Sequence, residues 1–172
     1  MVDSFDGRIG EAWAGEAPNG SHINVVLGRR GSPTAAAIVG ALTSPRPGHL
    51  PFLACLELGM AIRPRTIVVN KSTIEEDLHG RITWGAAQLG IAQGVMDAVA
   101  EGLIDSDEAD ELVLLVPAWV DPAARDETAV RAATRTATRD AIADAVSPAS
   151  AEQIRALADR REDAHNAYYT GD

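Results

Sequence analysis

Alternation of apolar and polar positions opens the chain: Arg8 to Ala14 and His22 to Leu27 read as strands, the second with Ile23, Val25 and Leu27 on one face and His22, Asn24 and Val26 on the other. Gly15 to Gly20 between them is turn-like. Gly28-Arg29-Arg30-Gly31 ends the second strand, and Ser32 followed by Pro33 fits the N-cap and first position of a helix running to about Leu42. A Pro-containing loop, Ser44 to Gly48, leads into two further β-prone segments, Phe52 to Leu58 and Thr66 to Ile74. In the second of these the two-residue period puts Lys71 and Thr73 on one face.

From about Thr83 to Glu101 the period lengthens to that of a helix, with an apolar stripe of Trp84, Ile91, Val95 and Val99 and a stop at Gly102. Gln88 falls inside that stripe, so its amide needs a partner in the core or faces a pocket. Leu112 to Val116 is a third strongly apolar strand, preceded by a short acidic helix. Thr128 to Val146 is a long helix closed by Ser147-Pro148, and Ser150 with Gln153 forms a capping box for a last charged helix of about fifteen residues, with Tyr168 to Asp172 frayed at its end. Strands alternating with helices, with too few residues to cover both faces of a sheet, predict an α/β fold: a two-layer α/β sandwich whose mixed sheet carries its helices mainly on one face. The expected division is one domain over 1–146 and a C-terminal helical extension over 147–172.

Composition narrows the class. With 172 residues, 46% hydrophobic and 23% charged, the chain has the make-up of one soluble domain that buries a core without disulfides; its single Cys55 sits among apolar neighbours and reads as packing. The longest apolar stretch, Leu112 to Val120, is interrupted by Pro117, and the opening residues are charged, so neither a membrane span nor a signal region is expected and the cytoplasm is the default location. The first 100 residues hold eight basic and nine acidic side chains, the last 72 seven and sixteen. That acidic second half disfavours nucleic acid as a partner, because such affinity rests on neutralising phosphates. Arg29, Arg30, Arg63, Arg65, Lys71 and Arg81 form the remaining basic group, suited at most to a small anion.

Within that charge pattern Lys71 stands out. Fourteen of the fifteen basic residues are arginine, so the one lysine occupies a position where a compact point charge or a neutral amine has a use that a guanidinium lacks. Three placements break the binary pattern on regular elements: His22 with Asn24, Lys71 with Thr73, and Gln88. Together they offer an acid or base, an ammonium, a hydroxyl and two amides, enough to bind a heterocycle and move protons at one of its atoms. No phosphate-loop or dinucleotide fingerprint is present, and His49, His79 and His165 have no ligand at metal-site spacing, so no metal is expected.

Ile9-Gly10-Glu11-Ala12, Ser21-His22-Ile23-Asn24, Gly28 to Pro33, Asn70-Lys71-Ser72-Thr73-Ile74, Gly85-Ala86-Ala87-Gln88 and Asp97 to Gly102 resemble, in order and spacing, the formaldehyde-activating enzymes. The resemblance covers about residues 8 to 146. It implies condensation of formaldehyde with tetrahydromethanopterin, or a related reduced pterin, to the methylene-bridged pterin and water. It further implies that no metal takes part and that the assembly is a homopentamer with its pocket between subunits. By the same resemblance His22 is the catalytic residue and Asn24, Leu53, Lys71, Thr73 and Gln88 contact substrate. A protonated imidazole suits the departure of the hemiaminal hydroxyl as water, and an ammonium at Lys71 suits oxyanion charge.

Departures from the family pattern are specific. Asn24 stands where the family has Asp, which removes a charge that would favour the His22 imidazolium. Arg29, Ala86 and Val130-Arg131-Ala132-Ala133 replace a proline, a second proline and an aromatic-rich segment. Two alternatives follow from these changes: a paralogue that binds a pterin, folate or other amine acceptor without this condensation, and an enzyme that keeps formaldehyde but changes the acceptor.

Overall fold

The computed structural model describes residues 5–163. Strands β1 (Ile9–Ala14) and β2 (Ser21–Arg29) form an antiparallel hairpin in which Glu11 lies opposite Asn24 and Trp13 opposite His22. Helix α1 (Pro33–Gly40) starts as the sequence predicts, with the Ser32 side chain accepting from the Ala35 amide, and passes into a single tight turn over Ala41–Thr43. Short strands β3 (Phe52–Leu53), β4 (Cys55–Glu57) and β5 (Met60–Ala61) precede β6 (Arg65–Asn70). Helix α2 (Asp77–Arg81) runs through a π turn, Ile82–Ala87, into α3 (Gln88–Ala100); β7 (Leu112–Val120), α4 (Glu127–Val146) and α5 (Ala151–Asp159) follow.

The main sheet has the order β1-β2-β7-β6-β3, antiparallel except for the parallel β6/β7 pair. Its mixed character and the helices on it confirm the α/β expectation. Ile23, Val25, Leu27, Leu114 and Val116 pack with Ile91, Val95, Ala137 and Ile142 of α3 and α4. On the opposite face Ala35 and Ile38 of α1 cover only Ile67, Val113 and their neighbours, which leaves the end of the sheet bearing His22 free of any helix among the described residues.

Three local expectations change. The helix predicted from Thr83 begins earlier, and the wider π turn shifts its phase, so Trp84 is exposed rather than part of the buried stripe. The strand predicted to Ile74 ends at Asn70, whose buried side chain leaves the ladder to donate to the Gly48 and Ser72 carbonyls. Strand β7 continues through Pro117 to Val120: its β2 partners are interrupted opposite that residue, where the ring has no N–H to give. The last helix carries the predicted capping box, but every residue from Ser147 to Asp163 is exposed, Ile154 and Leu157 included; Tyr168 to Asp172 lie outside the described residues.

Asp6 ties the segment before β1 to the β2–α1 turn. It accepts from the Ser32 hydroxyl, the Arg29 amide and the Thr34 hydroxyl, bonds that hold its carboxyl below the usual aspartate range against a small opposing effect of burial. A carboxyl depressed in the folded state contributes stability that is present above its unfolded value and lost as pH falls through the folded one. Asp6→Asn is therefore expected to flatten the acid limb of the stability curve below pH 3.8 relative to the parent, measured by urea unfolding across that range.

Candidate functional site

The β1/β2 register brings a carboxylate, an imidazole and an amide to one patch of the uncovered sheet face. Glu11 and Asn24 are direct cross-strand partners, and Glu11 reaches diagonally to bond His22 through its Nε2. Lys71 comes from the far side of β7. Its amide donates to the Ala118 carbonyl at 2.7 Å, so its backbone continues the β6/β7 ladder by one residue while its side chain crosses β7. There Nζ lies 2.8 Å from His22 Nδ1 and 2.9 Å from Asn24 Oδ1.

Proton positions follow from this geometry. An ammonium at Lys71 donates to Nδ1 and to the Asn24 carbonyl, so the ring proton sits on Nε2 and is donated to Glu11. Both ring nitrogens are then engaged, and Nζ keeps one N–H unassigned. Burial pushes the Lys71 ammonium below the ordinary lysine value, with the Glu11 charge opposing that effect. The Glu11 side chain is 64% exposed, so its attraction acts through partly screened contact with water.

The Lys71 anchor is itself well held. Besides its two donated bonds, Asn70 accepts from the Leu50 amide at 3.2 Å, and its carbonyl lies 2.9 Å from His49 Nδ1. His49 Nε2 lies 3.1 Å from the Thr73 hydroxyl, so Thr73 faces the 44–50 loop, two residues past Lys71, rather than sharing a strand face with it.

Two residues singled out from sequence stand apart within one chain. Leu53 pairs with Ile67 and is exposed on the same sheet face as His22, but on the edge strand β3, three strands across from β2 and level with Val26. Gln88 lies on the helix-covered side, where its amide donates to the Cys55 carbonyl at 2.8 Å and lines a cavity of about 470 Å³ with Cys55, Leu89 and Arg131. A larger cavity, about 630 Å³, opens between α1 and the start of β7 and contains none of the cluster.

Glu11 is the member of the cluster that reading the sequence missed. Asn24 removes one charge beside His22, and the strand pairing brings another carboxylate, Glu11 of β1, against the ring. Trp13 and Trp119 are the cross-strand neighbours of His22 on either side, and their rings meet at 5.5 Å beside it. Among the described residues no group of three or more His, Cys, Asp or Glu side chains is placed to hold a metal ion.

The family profile described as formaldehyde-activating enzyme (Fae) matches residues 9–168. A 5,6,7,8-tetrahydromethanopterin hydro-lyase of Methanosarcina barkeri is 38% identical over 122 residues, 71% of this chain and 68% of that protein. Bifunctional Fae/Hps enzymes of Methanothrix thermoacetophila and Archaeoglobus fulgidus are each 34% identical, over 71% and 70% of this chain. The chain spans only 31% and 30% of those two longer proteins.

Proposed function

We propose, from the premise that this chain belongs to the formaldehyde-activating enzyme family, that it condenses formaldehyde with tetrahydromethanopterin to the methylene-bridged pterin and water. The observation that carries the reading is the Glu11–His22–Lys71 chain of proton-bearing groups on an uncovered sheet face. Addition of an amine to formaldehyde gives a hemiaminal, whose hydroxyl departs only as water. His22 is the proton donor for that step, with Glu11 behind it, and Lys71 sets positive charge beside the reacting carbon. Trp13 and Trp119 offer the flat pterin an aromatic surface adjoining His22.

Asn24, Leu53, Lys71, Thr73 and Gln88 are the substrate contacts in this reading. Because the sheet separates Gln88 from His22 in one chain, the complete pocket takes Gln88 from a neighbouring copy, which supports a homopentamer. Light scattering at micromolar concentration is then expected to give five times the 18.1 kDa chain mass; a monomer overturns the shared pocket. Residues 1–146 form the catalytic domain and 147–172 a helical extension. The reading places the protein in the cytoplasm; separately, no helix among the described residues is long and apolar enough to cross a membrane.

The test is the rate of methylene-pterin formation above the spontaneous reaction. The parent is expected to exceed the spontaneous rate with tetrahydromethanopterin and His22→Ala to fall back to it. A parent no faster than the uncatalysed mixture overturns the reading. Calorimetric titration with tetrahydromethanopterin and tetrahydrofolate distinguishes the acceptor.

A further inference from the structure

The cluster contains one arrangement that proton donation by His22 leaves unused. A nucleophile activated in a protein is recognised by a base within hydrogen-bond reach and a third group that orients the base. Lys71 Nζ, His22 Nδ1 at 2.8 Å and the Glu11 carboxylate on Nε2 form that series, and the Asn24 carbonyl holds Nζ from a second side at 2.9 Å. The ring has no free nitrogen, whereas the amine left when one Nζ proton passes to Nδ1 can turn its lone pair out of the cluster by rotation about Cε–Nζ while an N–H stays on Asn24, so the atom of the series that meets a small electrophile is Nζ. Formaldehyde is such an electrophile, and a neutral amine is its natural acceptor. A guanidinium does not lose its proton in a protein, which accounts for the one lysine in a chain whose other fourteen basic residues are arginine. Partial burial of the side chain favours the neutral amine further.

We propose that Lys71 is a catalytic nucleophile that takes up formaldehyde as a methylene Schiff base and passes the carbon to the acceptor amine. This rests on the formaldehyde-condensing reading of the same site. His22 first accepts a proton from the Lys71 ammonium. The Nζ lone pair then forms the C–N bond as the carbonyl π bond breaks, and the Nζ proton passes to the oxygen, giving a carbinolamine. The His22 imidazolium donates its proton to that hydroxyl, the C–O bond breaks, water leaves, and Lys71 holds the carbon as a cationic imine. An acceptor amine attacks the methylene carbon, its N–H proton passes to Nζ, and the C–Nζ bond breaks to release the neutral Lys71 amine and leave the carbon as a cationic imine of the acceptor. Closure by the acceptor's second nitrogen releases one proton, which restores the Lys71 ammonium. No electron is gained or lost, and the sum is formaldehyde plus two N–H groups giving N–CH₂–N and water.

The test is trapping. The full chain is mixed with [13C]formaldehyde and borohydride without pterin, cleaved after arginine, and the fragment between Arg65 and Arg81 weighed; a synthetic peptide of residues 66–81 is treated alongside. The expected result is one labelled methyl group on Lys71, acquired about tenfold faster or more than in the peptide. Tetrahydromethanopterin added before borohydride is expected to remove the label, and Glu11→Gln and His22→Asn to slow its uptake in chains with unchanged circular dichroism. Lys71→Arg is expected to lose both label and catalysed condensation. If the parent condenses formaldehyde but labels no faster than the peptide, or Lys71→Arg keeps the parent rate, the Schiff base is overturned and the condensation stands. If Lys71 labels rapidly while neither tetrahydromethanopterin nor tetrahydrofolate is converted above background, the Schiff base stands and the pterin reading falls.

Discussion

Glu11→Gln slows the catalysed condensation on the order of a hundredfold, at nearly unchanged KM for the pterin and with the fold intact. The size follows from what the carboxylate does. A group that supports proton transfer contributes roughly 10²–10⁴ in rate, and the exposure of Glu11 puts it at the low end because water already screens its charge. The loss of stability is small, since Glu11 is exposed and the Lys71 ammonium it opposes is only half-buried. A second signature separates this from a structural role. Glu11 holds the Lys71 ammonium up against the lowering by burial, so its removal lets Lys71 titrate at lower pH still. With Lys71 as the proposed nucleophile, the rising limb of rate against pH reports formation of its neutral amine and is expected to move to lower pH in Glu11→Gln while its plateau falls. A plateau equal to the parent's, or a limb that stays in place, contradicts the assignment; measuring kcat and KM across pH decides it.

Gly90→Ala costs about 2 kcal/mol of stability net, although alanine is the better helix former. A Cβ at Gly90 would stand 2.1 Å from the Thr134 hydroxyl and 2.3 Å from the Arg131 carbonyl oxygen, and one turn on, Gly94 would bring its own to 2.4 Å from the Arg135 carbonyl. These are contacts with the α4 backbone and a buried threonine, so relief requires the two helices to part. The gain in helix propensity is about 1 kcal/mol, whereas overpacking against backbone costs 1–3 kcal/mol and occasionally more. Separation of the helices also loosens Ile91, Val95 and Ala137 in the main core. For a chain of this length the midpoint falls by roughly 4–8 °C. Thermal and urea unfolding of the variant measure it, and a midpoint at or above the parent's overturns the steric argument.

What could be read from sequence was whatever depends on neighbours along the chain. The alternation of Ile23, Val25 and Leu27 against His22 and Asn24, the Ser32–Pro33 start and the Ser150–Gln153 box all express local periodicity or capping, and they stand as expected. Lys71 was legible because composition marked it, and the structure places it against His22 and Asn24. Glu11 was hidden because its role depends on the β1/β2 register, which a six-residue turn leaves open until the strands are paired. The end of β6 was hidden for a related reason: Asn70 looks like one more strand residue until its side-chain partners, Gly48 and Ser72, are known. The distance of Gln88 from His22 is a property of layers, set by which side of the sheet α3 covers.

The half-buried lysine has a practical side as well. Apart from its terminal amine, the chain offers acylating reagents a single primary amine, and that amine lies beside His22. A lysine-selective ester therefore counts sites mole for mole rather than decorating a surface, and its uptake reports whether the pocket is open. Dyes, biotin or beads attached through lysine will block the very place they are meant to observe, and Cys55 adjoins Gln88, so immobilisation and fluorescence work on this molecule belong on an added tag.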